Sequence, residues 1–333
     1  MTVTREGSSK VAPSQLVRVP DLVKVVFLGG QARSGSTLLD RTLGQVPGFE
    51  TAGEVRYLFK RGLLRNELCG CGTPLRACSF WERVGKEAFG GWDRIDLGEV
   101  LWLQREVDRP GRLPSLMTAG VSPAFRDLLQ RYGEYLHRVF LGIQRASNAR
   151  VVIDSTMSPP YALALRETVG LDLRIVHLVR DPRGVAFSSG KKVTRPEVTD
   201  HEEYMPVYSP RETALRWSMA NGVFEMIART VPTVRVRYED FVREPEAQLH
   251  RIAEMAGEPF GADHLAFLDG DRIELEVDHT AAGNPMRFKT GTLTLRVDED
   301  WRRKLDEREQ RRVARLTSPL LHRYGYAKDG WAR

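Results

Sequence analysis

Between Gly30 and Thr37 the chain reads Gly-Gln-Ala-Arg-Ser-Gly-Ser-Thr, two glycines enclosing a cation and followed by hydroxyls. Such a turn, opening a helix, lets backbone N–H groups approach an anion closely, and the helix dipole favours negative charge there. The spacing is that of G-x-x-x-x-G-K-[ST], with Thr37 at the Ser/Thr position, but Ser36 stands where the lysine that reaches the outer phosphates belongs. The cation is instead Arg33, inside the loop. Hydroxyls on Ser34, Ser36 and Thr37 with an early arginine suit a terminal group smaller and less charged than a magnesium-bound γ-phosphate. A second pair lies farther on: Arg180, closing the apolar run from Leu173 to Val179, and Ser188 eight positions later. A strand-end arginine forks two oxygens of a phosphate dianion while a helix-borne hydroxyl holds a third. The alternative is an Arg180-Asp181-Pro182 turn pinned by a local ion pair. Glu54 follows the loop's helix and offers a carboxylate to take the proton of an attacking hydroxyl. Its alternative is a carboxylate that caps local backbone or pairs with Arg56.

The stretch Gln31 to Leu39, followed by Pro47 and by Gly53-Glu54, resembles the 5′-phosphosulfate loop of sulfotransferases that use 3′-phosphoadenosine 5′-phosphosulfate (PAPS), above all bacterial members and the tyrosylprotein branch. Arg174 to Ser189 resembles the same family's 3′-phosphate motif. The resemblance spans roughly 23–326 and is weakest over residues 57–150. It implies transfer of a sulfuryl group from PAPS, leaving PAP, to a hydroxyl of a small-molecule, sugar or lipid-linked acceptor. Under it Gln31, Ala32, Arg33, Ser34, Gly35, Ser36 and Thr37 hold the 5′-phosphosulfate, while Arg180 and Ser188 hold the 3′-phosphate. Tyr238 lies near the adenine, against the alternative of an ordinary buried tyrosine. Arg287, within His279–Lys289, adds a phosphate contact from a closing loop. Glu54 aligns with the base of the tyrosylprotein branch, and Arg33 neutralises the moving group and the leaving oxygen. One departure stands out: bacterial relatives commonly read Asp-Ser-Ser-Lys where this chain has Asp154-Ser155-Thr156-Met157. Arg33, Lys191 or Lys192 is left to replace the missing charge. Two other readings stay open, a P-loop-type kinase or nucleotidase, disfavoured by Ser36, and a non-catalytic nucleotide-binding relative, kept open by Met157.

Residues so far apart meet only if a sheet brings strand ends to one rim. Apolar runs at Val25–Leu28, Val151–Asp154, Leu173–Val179 and Val234–Tyr238 read as buried strands. Helices are predicted after the loop, over Phe125–Ile143, from Pro159, from Pro210 behind the capping box Ser209–Glu212, from Pro245, and over Trp301–Tyr326. This alternation predicts an α/β fold, a P-loop-like parallel sheet flanked by helices on both faces, with ligands beyond the carboxyl ends of its strands. The alternation stops between Tyr57 and Arg150. Lys60–Phe80 reads as loop and Trp92–Leu103 as aromatics without period, so about 57–150 is expected to form a helical/loop insertion serving as acceptor cap. Lys191–Tyr208 reads as a mobile loop. Residues 21–333 are expected to make a single domain, and residues 1–20, polar and broken by Pro13 and Pro20, a flexible tail.

With 333 residues, 41% of them hydrophobic, the chain is long enough for one sizeable core. Its 50 Lys+Arg against 44 Asp+Glu are scattered, so the excess of +6 fits an anionic nucleotide and no nucleic acid is expected. No apolar run reaches 18 residues and Met1–Pro20 lacks a signal-like core, so no membrane span is expected and the enzyme reads as cytoplasmic. Three cysteines cluster at Cys69, Cys71 and Cys78. A closed zinc site needs four ligands and no histidine lies nearby in sequence, which favours thiols that pack or pair under oxidation. No metal is therefore expected, at the cysteines or at the nucleotide. Oligomeric state leaves no mark in the sequence.

Overall fold

The computed structural model describes residues 21–118 and 122–328, so the predicted tail over residues 1–20 lies outside the described residues. Its centre is β1 (Val23–Gly30), where only Lys24 is not fully buried, as expected of a run with no other charged side chain. α1 (Ser36–Leu43) and β2 (Phe49–Thr51) follow. Next come α2 (Ser79–Phe89), α3 (Leu97–Val107), α4 (Leu113–Met117) and α5 (Pro123–Ser147). Strand and helix then alternate through β3 (Val151–Asp154), α6 (Pro159–Arg166), β4 (Leu171–Val179), α7 (Pro182–Ser189), α8 (Pro210–Ile227) and β5 (Thr233–Arg237). α9 (Tyr238–Arg243), α10 (Pro245–Ala256), β6 (Leu268–Asp269), β7 (Arg272–Leu275), β8 (Gly291–Thr294), α11 (Trp301–Lys304) and α12 (Glu307–Arg323) complete the chain.

The first five strands form one sheet in the order β2-β3-β1-β4-β5, every pair parallel. Side chains alternate across it with period two. Val25 and Phe27 join a core with α2, α3, α5, α6 and α8 on one face. Val26 and Leu28 join Leu39, Leu43, Phe241, Leu249 and Ile252 on the other. Both faces are covered by helices, as the alternation predicts. Parallel pairing puts all five carboxyl ends on one rim, and the register pairs Gly30 with Leu178 and Val179 with Arg237. β6, β7 and β8 make a separate antiparallel sheet that the sequence reading did not include.

Two expectations are corrected here. Within residues 57–150, the stretch read as aromatics without period, Trp92–Leu103, runs into α3 (Leu97–Val107), and the stretch read as loop, Lys60–Phe80, begins in π turns to Leu64 and ends in α2 from Ser79. The segment Lys191–Tyr208, read as mobile, is anchored by Arg195, whose 4% exposed side chain pairs with Glu67 at 2.7 Å, with Glu197 at 3.0 Å and with Glu203. A buried guanidinium with three carboxylate partners fixes that segment against the residues just before the cysteines.

Candidate active site

The loop after β1 leaves the sheet through backbone that few side chains tolerate, with Arg33 at φ 72° and Gly35 at φ 91°. A Cβ at Gly35 would sit 2.5 Å from the Tyr238 ring, so glycine is required twice, for its dihedral and for the aromatic against it. Gly35 caps α1 with no side-chain hydrogen bond, which leaves the first-turn N–H groups for an anion. Ser34 is fully buried and its Oγ has no partner among the described residues. An orphaned hydroxyl inside such a loop fits an incoming oxyanion. Ser36 is buried, Gln31 and Thr37 are half-buried, and Ala32 is exposed.

The two sequence motifs meet directly. Arg33 Nε donates to Ser188 Oγ at 3.1 Å and Nη2 to the Ser188 carbonyl at 3.3 Å. Arg180 Nη1 donates to the Arg33 carbonyl at 3.2 Å, and its guanidinium lies 4.5 Å from the centre of the Tyr238 ring. Burial, then the nearby charge of Arg180, pushes the Arg33 pKa below its ordinary value. Two guanidiniums held this close repel, and an anion between them would relieve it. A local ion pair does pin this turn, but through Arg183, which Asp181 forks at 2.9 and 2.6 Å while capping α7. Arg180 instead reaches Asp298, 118 positions away, at 3.0 Å. Tyr238 is 7% exposed, as an ordinary buried tyrosine would be, and its ring flanks Arg180 and the loop glycine.

Glu54 stands three residues past β2. Its backbone N–H donates to the Ala282 carbonyl at 3.1 Å, and a Cβ on the next residue, Gly283, would lie 4.0 Å from the Thr37 hydroxyl. Gly53 makes the approach possible with φ 68°, where a side chain would strike the same Ala282 carbonyl at 2.6 Å. Arg56 pairs with Asp108 rather than with Glu54, and Glu54 caps nothing with its side chain. Among the described residues its carboxylate has no hydrogen bond or ion pair. Burial raises its pKa above the ordinary glutamate value, opposed by the charges of Arg61 and Arg287.

Arg287 is placed differently from the expected phosphate contact. It is 1% exposed, and its guanidinium donates to the carbonyls of Thr280 and Leu68, both at 2.7 Å. It braces one loop against another with its charge turned inward. A residue the sequence reading passed over shares this work: Arg41 of α1, fully buried, donates to Asp278 at 2.6 Å and to the Glu276 carbonyl at 2.7 Å. Its only local sign is an arginine within α1 three positions after Leu38, on the side away from Leu39. At Met157, where relatives carry lysine, the backbone takes φ 62° and the side-chain methyl faces Gly30. Lys191 is 4.0 Å from Asp298 and Lys192 lies over the Tyr204 ring, so Arg33 is the cation that contacts the loop's second motif. The expectation that the cysteines lack a fourth ligand is also corrected: His279, 201 positions from Cys78, brings Nδ1 to 3.2 Å from its Sγ. Distance in sequence hid it.

Residues 102–262 match the sequence profile of the sulfotransferase family. No curated protein sequence matches the chain. Among solved structures it is similar to the sulfotransferase domain of the Synechococcus PCC 7002 olefin synthase, with 20% identity and a TM-score of 0.49 over 90% of this chain and 95% of that one. A sulfotransferase domain from the curacin biosynthetic pathway follows, with 17% identity and a TM-score of 0.45 over 89% and 98%. Retinol dehydratase in a complex with retinol and PAP gives 16% identity and 0.32 over 95% and 84%. The part of the chain that matches the sulfotransferase family, residues 102–262, holds β3, β4, Arg180 and Ser188.

Proposed function

We propose that the protein is a sulfotransferase that takes its sulfuryl group from PAPS and delivers it to a hydroxyl of a small-molecule, sugar or lipid-linked acceptor held against the insertion. The observation that carries the reading is the contact of Arg33 with Ser188 and of Arg180 with the Arg33 carbonyl, which puts the two motifs side by side. Bound PAPS supplies a sulfuryl group on a phosphate leaving group. Arg180 and Ser188 hold the 3′-phosphate by charge-assisted hydrogen bonds. The loop N–H groups and the hydroxyls of Ser34, Ser36 and Thr37 hold the 5′ end. Arg33, inside the loop, offsets charge on the transferring group and on the departing oxygen. Glu54, ionised above its raised pKa, takes the acceptor proton as the new oxygen–sulfur bond forms.

The acceptor's side is read from position. A cleft of about 570 Å³ opens at Arg56, two residues after Glu54, lined by Tyr57, Leu101, Trp102, Lys60 and Arg105. That volume suits a drug-sized molecule with an apolar body and an anionic or polar edge. The test is calorimetric titration of wild type and Arg180→Ala with PAP and with adenosine 5′-phosphosulfate, which lacks the 3′-phosphate. PAP should weaken roughly 10- to 150-fold in the variant, equivalent to about 1.5–3 kcal/mol, and the other ligand should not change. Equal losses for both ligands would make Arg180 a structural residue and overturn the assignment.

A further inference from the structure

Three thiols and an imidazole converge at a place the transfer chemistry does not use. Cys69 and Cys71 lie on a tight turn before α2, Cys78 directly precedes that helix, and His279 arrives from the segment between β7 and β8. Cys71 Sγ is 3.8 Å from Cys78 Sγ, Cys69 Sγ is 3.8 Å from His279 Nδ1, and Cys78 Sγ is 3.2 Å from the same nitrogen. All four donor atoms lie within 4.8 Å of one another. A tetrahedral Zn²⁺ with bonds of ~2.3 Å to sulfur and ~2.0 Å to nitrogen separates its sulfurs by about 3.8 Å and sulfur from nitrogen by about 3.5 Å. The Cys71–Cys78 separation equals the sulfur–sulfur edge of that tetrahedron, and the two sulfur–nitrogen separations, 3.8 and 3.2 Å, lie on either side of its sulfur–nitrogen edge.

We propose that Cys69, Cys71, Cys78 and His279 bind one structural Zn²⁺. Four protein ligands leave no open position for water or substrate, so the ion holds the fold and takes no part in sulfuryl transfer. Three thiolates and one imidazole are a soft set that selects zinc over magnesium or calcium. Neighbouring side chains and backbone hold the four ligands in place. The His279 ring stacks on Phe80 at 4.9 Å, and its carbonyl accepts from Trp81 Nε1 at 2.8 Å. The Cys69 N–H donates to the Thr73 carbonyl and the Gly72 N–H to the Cys69 carbonyl, both at 2.8 Å, which folds the turn so that its thiols face inward. The ion would join this turn to residues 278–282, whose Ala282 carbonyl holds the Glu54 backbone and whose Thr280 carbonyl holds Arg287. Its place in the molecule is a clasp between the insertion and the wall beside the candidate base.

The test uses the full chain, purified under reducing conditions without chelator. Zinc measured by inductively coupled plasma mass spectrometry should come to about one ion per chain, the count for a single Cys₃His site. Protein stripped and reloaded with Co²⁺ should show the visible bands of a tetrahedral ion and a thiolate charge-transfer band. Cys71→Ser, at a half-exposed position, and His279→Ala should each lose the zinc, and Cys71→Ser should weaken the charge-transfer band. Far-substoichiometric zinc in wild type with no Co²⁺ spectrum on reloading would overturn the proposal. So would a Cys71–Cys78 disulfide in the reduced preparation, or both variants retaining a full ion. Should either variant fail to fold, the wild-type zinc content and cobalt spectrum still decide, and neither depends on the identity of the sulfuryl donor.

Discussion

Glu54 has what a general base needs: a carboxylate without hydrogen-bond or ion-pair partners among the described residues, raised in pKa by burial, on backbone tied to the residue before Gly283, which faces Thr37. Glu54→Gln keeps its size but not its basicity. Turnover should fall by about 10² to 10⁴ while PAP affinity stays near wild type. Because burial raises the pKa, wild-type turnover should climb with pH through a range above that of an ordinary glutamate, and this acidic limb should vanish in the variant. A pH–rate profile of both enzymes checks it; an unchanged limb in Glu54→Gln would assign the proton transfer elsewhere. At this scale the legible residues were those whose meaning is local. Arg33 declares itself by its loop and Arg180 by its strand end. Asp298, His279 and Arg41 act through partners 118 to 237 positions away, and no local pattern marks them. Of the two carbonyls that hold Arg287, that of Thr280 is seven positions away and that of Leu68 is 219, so only the second is hidden by distance.

Among the elements, the turn from β1 into α1 carries the most constraint. Gly35→Ala would combine a left-handed dihedral with a methyl driven against the Tyr238 ring. The cost should be on the order of 1–3 kcal/mol for the dihedral alone. PAP binding should fall with it, because the ring also flanks Arg180; thermal melts with and without PAP read both effects. β3 offers a pH test. Asp154 ends that strand fully buried, with its pKa pushed up to about 7 by desolvation, against hydrogen bonds from Thr156. The folded state therefore holds this proton more tightly than the unfolded chain does. The resulting stability is complete at pH values below the ordinary aspartate range and is lost as pH rises toward about 7. Asp154→Asn, which keeps the neutral form's shape, should flatten part of that decline; urea unfolding at pH 5 and pH 8 measures it. The long buried strands were readable because they are continuous apolar runs. β2 has three residues, too few for a period to show, and α2 and α3 hide behind glycines and tryptophans whose packing partners lie on α5.

For the whole molecule, the insertion and the sheet share one core: Val25 and Phe27 of β1 belong to the same buried cluster as Trp81, Leu103 and Phe140. Neither part keeps its core without the other. Unfolding followed by tryptophan fluorescence and by circular dichroism should give one coincident transition, whereas two separated transitions would mean that the insertion melts alone. The rim joins what the core positions, and under the proposed function the donor is recognised there by its 3′-phosphate. The most direct measurement is calorimetric titration of the wild-type protein with PAP, adenosine 5′-phosphosulfate and ATP, in buffer without magnesium and without chelator. PAP should bind roughly 10- to 150-fold tighter than adenosine 5′-phosphosulfate, the worth of one charge-assisted contact, and should need no magnesium. Equal affinity for these two ligands, or tighter binding of ATP that depends on added magnesium, would contradict the account.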